Sequence, residues 1–357
     1  MTRLAPDLAI SQLIILFVSV ALMVGTLALV KNLDVVMRYK YTFGIIGIIL
    51  LMLPIFIGTT ISGSKLWIRI AGFTIQPGEF AKVFIVLFLA GYLAENRELL
   101  SISNRKILGF KIPRLRLLLP LFAVWGVCLL VVVFERDLGS AVLFYTIFLL
   151  MLYVATGRFS YVVIGLALLA VGAVGAYKFL SHVQVRFQVW VDPFKDAQGQ
   201  GYQIVQSLFA IGTGGWFGMG LCQGSPESIP VVKNDFIFSA ICEELGGIFA
   251  ICLILVCTSF FLMIVTIALK IRNPFYKLIA LGLGTEYAFQ VFLTIGGATK
   301  FIPMTGVTLP LVSYGGSSVM CTILMLAIIQ GLYILREDED EQIETQRKET
   351  IERRGKR

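Results

Sequence analysis

The stretch Asn234-Asp235-Phe236-Ile237-Phe238-Ser239-Ala240-Ile241-Cys242-Glu243-Glu244-Leu245-Gly246 stands where a polar segment, residues 181–235, gives way to an apolar run that continues to residue 269. A run of this kind is a membrane helix, and it is overlong for one crossing. Its 34 residues, at about 1.5 Å each, exceed a hydrocarbon core of roughly 30 Å. The first turns, residues 236–244, are therefore expected to stand in a polar cavity or to protrude. An acid at the mouth of such a helix is costly unless it has a task, so Asp235 and the segment before it are where function is expected.

The rest of the chain fits this reading. Mean hydropathy is +0.87, 57% of residues are hydrophobic and 15% charged. That is too much apolar surface for a soluble fold of this length. Continuous rather than alternating apolar runs argue against a β-barrel. The fold class is all-α: a polytopic transmembrane helical bundle with nine spans, near residues 8–30, 41–57, 80–93, 117–134, 138–155, 161–180, 236–269, 275–295 and 317–335. The six cysteines are scattered, without metal or disulfide spacing. His182 is the one histidine, which counts strongly against a histidine-based triad and a multi-histidine metal site. No nucleotide-binding fingerprint appears and no nucleic-acid partner is expected; the net charge of +8 points to anionic lipid or phosphate neighbours and to topology.

Loop charge sets the orientation. Placing residues 31–40, 95–116, 157–160, 270–277 and the end after 335 on one side gathers 20 of the 30 Lys and Arg, and that side is cytoplasmic by the positive-inside rule. The segment 181–235 and the loop 299–317 then face outward, as does Met1. Residues 1–335 read as one transmembrane domain with an extracellular loop at 181–235. Residues 336–357, with 15 charged side chains of 22, read as a solvated cytoplasmic tail.

Four polar clusters fall at outward helix ends. The first holds Gly63, Lys65, Trp67 and Arg69, then Gln76-Pro77-Gly78-Glu79-Phe80-Ala81-Lys82. Glu79 and Lys82 are three apart on one helical face and can pair, either to fix packing or to bind substrate. If the pair is structural, removing one member leaves a stranded charge and removing both restores stability. Trp67 reads as an interfacial anchor or a ligand platform. The second cluster is Glu135-Arg136-Asp137-Leu138-Gly139-Ser140, in which Asp137 either caps the next helix or serves a site. The third holds Arg186, Trp190, Gln203 and Gln206, the two amides on one helical face as a hydrogen-bonding edge for a sugar. The glycines from Gly212 to Gly220 follow, serving close ligand approach or tight turns. The fourth, residues 302–318, is apolar but broken by two prolines and several glycines, suiting a re-entrant segment packed against protein. Within the bundle Glu286, Gln290 and Thr294 form a polar stripe, and Glu243 is read as sharing a helical face with Asp235. Asp235 itself reads evenly as a helix cap or as a general base.

Taken in order, Gln76–Lys82, Asp137–Ser140, Gly201–Ser207, Asp235–Phe238 with Glu243–Gly246, and Pro303–Ser318 resemble the SEDS family of bacterial peptidoglycan polymerases, the RodA, FtsW and SpoVE proteins. The matches cover nearly the whole chain from about residue 34. The resemblance implies an inverting glycosyltransferase that polymerises lipid II at the outer face of the bacterial cytoplasmic membrane. It serves elongation, division or sporulation, alongside a class B penicillin-binding protein and among membrane lipids. It implies that Asp235 is the catalytic acid, taking the proton of the acceptor 4-hydroxyl. The substrate-binding candidates are Glu79, Lys82, Trp67, Lys65, Arg69, Asp137, Arg186, Gln203, Gln206, Lys233, Ser313 and Ser317. Lys65, Arg69, Lys82, Arg186 and Lys233 are the cations available to steady the pyrophosphate. No protein metal site is expected; a divalent cation at the pyrophosphate is left open.

Two departures accompany the match. Residues 224–234 differ from the family's usual run before the acid, which leaves Lys233 as a substitute for its phosphate-binding lysine. The family also has ten helices with both ends cytoplasmic, and residues 8–30 align with its second helix. A further hydrophobic span encoded upstream of Met1 is the corresponding expectation. Two other readings remain: a flippase or transporter of a lipid-linked precursor, with Glu79–Lys82, Glu286 and Glu243 along its path, and a non-catalytic scaffold for a penicillin-binding protein.

Overall fold

The computed structural model describes residues 6–30, 34–61, 64–70, 73–101, 105–107, 110–112 and 115–355. Met1 and Gly63, each given a role above, lie outside the described residues. The chain runs α1 (Pro6–Val30), α2 (Asp34–Arg38), α3 (Lys40–Ile57), strands β1 (Thr59–Ile61), β2 (Ser64–Ile70) and β3 (Phe73–Ile75), α4 (Pro77–Glu95) and α5 (Arg97–Ser101). Strands β4 (Arg105–Ile107) and β5 (Phe110–Ile112) follow, then α6 (Leu115–Phe134), α7 (Leu138–Thr156), α8 (Phe159–Phe179), α9 (Ser181–Val191), α10 (Tyr202–Gly214), α11 (Ile237–Lys270), α12 (Pro274–Ala298) and α13 (Gly316–Gly355). Nine of the described helices are long and apolar enough to cross a membrane, and they coincide with the nine expected spans.

Burial separates the helices by role. The most hydrophobic stretch of α4 is 78% buried and that of α12 67%, against 6% for α1. The central pair is therefore largely enclosed by protein, and most of its polar groups meet protein partners, although among the described residues neither carboxylate oxygen of Glu286 accepts a hydrogen bond. Lys82, only 2% exposed, lies 2.9 Å from the Glu79 carboxylate and 3.5 Å from that of Glu286. The expected pair is thus a triad across α4 and α12, which changes what a double substitution would restore. Higher on α12, the Gln290 amide donates to the Thr308 carbonyl at 3.1 Å and the Thr294 hydroxyl to that of Val307 at 2.9 Å. The polar stripe thus supplies the hydrogen bonds that the irregular segment 302–315 lacks within itself, the condition for non-helical backbone at membrane depth.

Helix α11 is two helices. Gly246 adopts φ 84°, ψ 172°, which only glycine tolerates readily. A side chain there would also collide with the Trp216 carbonyl and the Gly218 amide. The break detaches residues 237–245 from the 24 that follow, so the overlong span divides into a short arm and a longer helix, where the sequence reading expected first turns in a polar cavity or protruding. The arm packs backbone to backbone against the end of α10: a Cβ on Gly214 would overlap the Cys242 carbonyl. Amides of Met219 and Gly220 donate to carbonyls of Glu243 and Glu244 at 2.9 and 3.0 Å. The glycine-rich run thus serves close chain packing.

Three local features depart from expectation. The segment 181–235 contains two helices, α9 and α10, joined by short turns. Strands β1, β2 and β3 form a three-stranded antiparallel sheet, with Ile68 opposite Ile75 and Arg69 opposite Thr74, and β4 pairs antiparallel with β5. Glu243 does not share a face with Asp235: one carboxylate oxygen accepts the Ser225 amide at 2.9 Å, and Asp235 precedes the helix altogether.

Candidate active site

Helix α9 turns one face, Val185, Arg186, Val189 and Trp190, toward the chain just before α11. The spacing of one, three and one residues is what a single helical face allows. The first turn of α10 adds Gln203 and Ile204, the turn before it Gln200, and the α12–α13 connection adds Lys300, Ile302, Met304 and Gly306. Together with Asp235 they enclose a cavity of about 160 Å³. Its lining joins an indole face, two amides, two cations and one carboxylate.

Asp235 is held from both sides by its backbone. The Ser313 hydroxyl donates to the Asn234 carbonyl, and the Tyr314 amide donates to the Lys233 carbonyl at 2.8 Å. The Asp235 amide donates to Val231 at 3.2 Å, and the neighbouring Phe236 ring is fully buried. Phe236, not Asp235, occupies the cap position of α11. The carboxylate of Asp235 accepts no hydrogen bond among the described residues, so the cap reading gives way and the group is free toward the cavity. Burial raises its pKa to about 6, Arg186 opposes the rise, and Asp137 adds to it.

Arg186 is committed to the protein, its Nη1 donating to the carbonyls of Met304 at 3.2 Å and Thr305 at 3.1 Å. Asp137 does cap α7, accepting the Ser140 amide at 3.0 Å and its hydroxyl at 2.7 Å. It stands close enough to Arg186 and Asp235 to act on both. Beside it Glu135 is buried, with Oε1 lacking any partner, and burial followed by Asp137 raises its pKa to about 8.

The remaining candidates divide. Gln203 joins the cavity; Gln206, one turn on, does not. Ser313 and Ser317 are 3% exposed and hold backbone, Ser313 as above and Ser317 by accepting the Gln76 amide at 2.8 Å. Lys65 donates to the Ile55 carbonyl at 2.7 Å, at the end of α3. Trp67 is half-buried and Arg69 exposed on β2, and Lys233 is half-buried; none of the three lines the cavity. Glu79 and Lys82 lie within the bundle. Gln200 and Lys300 were missed by the sequence reading, since neither sits in a motif. Among the described residues, no three His, Cys, Asp or Glu side chains gather as a metal site.

A family model described as cell cycle protein, that of the FtsW, RodA and SpoVE proteins, matches residues 4–337. The chain belongs to this family. A RodA from Mycobacterium tuberculosis, named peptidoglycan glycosyltransferase, is 42% identical over 89% of this chain and 68% of its own length. The stage V sporulation protein E of Bacillus subtilis is 34% identical over 79% and 74%. Among solved structures, the fold matches one described as a peptidoglycan synthase complex coordinating polymerization and crosslinking. It does so with a TM-score of 0.73 and 23% identity over 93% of this chain and 91% of that one. It also matches the Thermus thermophilus rod shape determining protein RodA, with a TM-score of 0.65 and 21% identity over 93% and 89%. At these identities the structures bear on the fold alone. This FtsW/RodA/SpoVE-family chain is a multi-pass membrane protein.

Proposed function

We propose that the chain is a peptidoglycan glycosyltransferase that polymerises lipid II, with Asp235 as its general base. The observation that carries the reading is the Asp235 carboxylate, unbonded by protein and facing a cavity that combines Trp190, Gln200 and Gln203. An indole stacks on the apolar face of a sugar ring and amides bond its hydroxyls. A base with a pKa of about 6 is ionised at neutral pH yet retains useful basicity.

In the reaction the acceptor 4-hydroxyl gives its proton to Asp235 as its oxygen attacks C1 of the donor MurNAc. The C1–O bond to pyrophosphate breaks, the electron pair leaves with undecaprenyl pyrophosphate, and the anomeric centre inverts. A second carboxyl acid is unnecessary, because pyrophosphate departs without protonation. The positive charge of Arg186 acts on both Asp137 and Asp235 and favours the ionised form of the base. No step here runs through a metal ion.

The reading includes an outward cavity, a cytoplasmic C-terminus in the bacterial cytoplasmic membrane, and a class B penicillin-binding protein as partner for crosslinking. The flippase alternative loses support because Glu79, Lys82, Gln290 and Glu243 bond to protein, Glu286 stands 3.5 Å from the Lys82 ammonium, and none of the five lines the cavity. Purified protein incubated with lipid II, with and without a class B penicillin-binding protein, tests the proposal by glycan-strand analysis. Strands are expected from the wild type and none from Asp235→Ala. Strands from a folded Asp235→Ala protein would overturn the assignment of the base.

A further inference from the structure

The reaction just described, on which this inference rests, leaves one additional negative charge on the departing pyrophosphate. A cation must meet it, and the cations named from motifs are occupied or elsewhere. Lys65 is spent on the Ile55 carbonyl, Lys82 on Glu79 and Glu286, and Arg186 on two carbonyls. Arg69 and Lys233 do not line the cavity.

Lys300 does line it, on the wall built by the α12–α13 connection rather than by α11. Among the described residues its ammonium has no carboxylate partner. Its backbone is unusual as well. Lys300 has φ 60°, a left-handed conformation that glycine or asparagine takes at far less cost. Two hydrogen bonds hold it there: its amide to Gly297 at 3.2 Å, and the Trp190 indole to its carbonyl at 3.2 Å. A long cationic side chain is thus kept where turn geometry favours a residue without one, and it is buttressed by the aromatic side chain of the same cavity. Such strain concentrates where a side chain serves a ligand.

We propose that Lys300 is the residue that binds the pyrophosphate of the lipid-linked donor and stabilises the charge that develops as it leaves. An ammonium suits this role because it acts as a compact point charge and can follow a moving phosphate. With Asp235 on one wall and Lys300 on another, attack and departure have separate partners on either side of the anomeric carbon.

Lys300→Gly is the informative variant, since glycine accepts the φ of 60° and removes only the ammonium stem. Calorimetric titration of the detergent-purified full chain with inorganic pyrophosphate is expected to show binding that weakens roughly tenfold to a hundredfold in Lys300→Gly. Thermal stability should be unchanged or higher, and Lys300→Arg should recover most of the binding. In parallel, lipid II polymerisation should lose kcat in Lys300→Gly and regain it in Lys300→Arg. Pyrophosphate that binds both proteins equally, or neither, overturns the proposal. A wild type that binds pyrophosphate through Lys300 but makes no glycan strands would instead overturn the proposed function and leave the anion site standing. Polymerisation at the wild-type rate by Lys300→Gly would overturn Lys300 alone.

Discussion

The Ser313 hydroxyl donates its hydrogen to the carbonyl of Asn234, the residue immediately before the acid in the cavity. Its oxygen also accepts the Leu309 amide at 2.9 Å. One buried side chain thus ties the irregular segment 302–315 to the backbone that aims Asp235. Ser313→Ala strands a buried amide and a partly buried carbonyl, at a cost of about 1–3 kcal/mol. It should lower the melting temperature and reduce kcat roughly tenfold through loss of aim. An Asp235 pH profile that keeps its midpoint while kcat falls is the expected signature. Unchanged stability would mean that the hydrogen bonds contribute nothing.

Asp235→Asn should reduce polymerisation by about 10²–10⁴-fold. In the wild type, activity should fall as pH drops through about 6, where the base takes up its proton. Stability carries the opposite sign. The folded-state pKa is raised above the ordinary value of 3.8, so the contribution of the neutral acid is complete below that value. It is lost as pH rises through about 6. Asparagine, uncharged throughout, should therefore match or exceed wild-type stability at pH 7.5, with the advantage closing toward pH 4. Thermal melts across pH beside single-turnover rates check both signs.

The charge triad gives a graded prediction. Lys82→Met leaves Glu79 and Glu286 facing each other unneutralised, and breaking a buried pair in this way costs about 3–5 kcal/mol. Glu79→Gln/Lys82→Met recovers only part of this, because Glu286 stays 0% exposed without its cation. The triple variant with Glu286→Gln should regain wild-type stability. Melting temperatures of the series decide the matter; full recovery in the double variant would remove Glu286 from the network.

Glu135→Gln should be silent for catalysis at pH 7 and stabilising. Burial and Asp137 hold the Glu135 carboxyl near 8, above its ordinary 4.5. The folded protein therefore keeps a proton that the unfolded chain releases. The stabilising contribution of that proton is full below pH 4.5 and fades as pH rises through about 8. The stability gap between Glu135→Gln and wild type should widen from pH 4.5 to 8 and then level off. A constant gap across that range, read from thermal melts, would show that Glu135 titrates as an ordinary carboxylate.

Sequence alone determined the nine spans, because long apolar runs have no alternative in water or lipid. It also showed that α11 is too long for one crossing, because 34 helical residues overrun a bilayer; that it breaks at Gly246 came only from the structure. Asp235 and its neighbourhood were legible from an acid at a helix mouth and an ordered set of motifs. What the tertiary structure decided was which polar groups are already occupied. Asp137 and Asp235 both stand at helix starts; only the hydrogen bonds show that the first caps its helix and the second faces the cavity free. Glu79 and Lys82 read as a pair because local spacing is visible, whereas Glu286 joins them from a helix about two hundred residues away. Lys300 carried no signal at all, since its significance lies in a left-handed backbone and in the wall of a cavity made by chain segments distant in sequence. Period and hydropathy are local properties of a chain; the partner of a charge is set by packing between segments far apart along it.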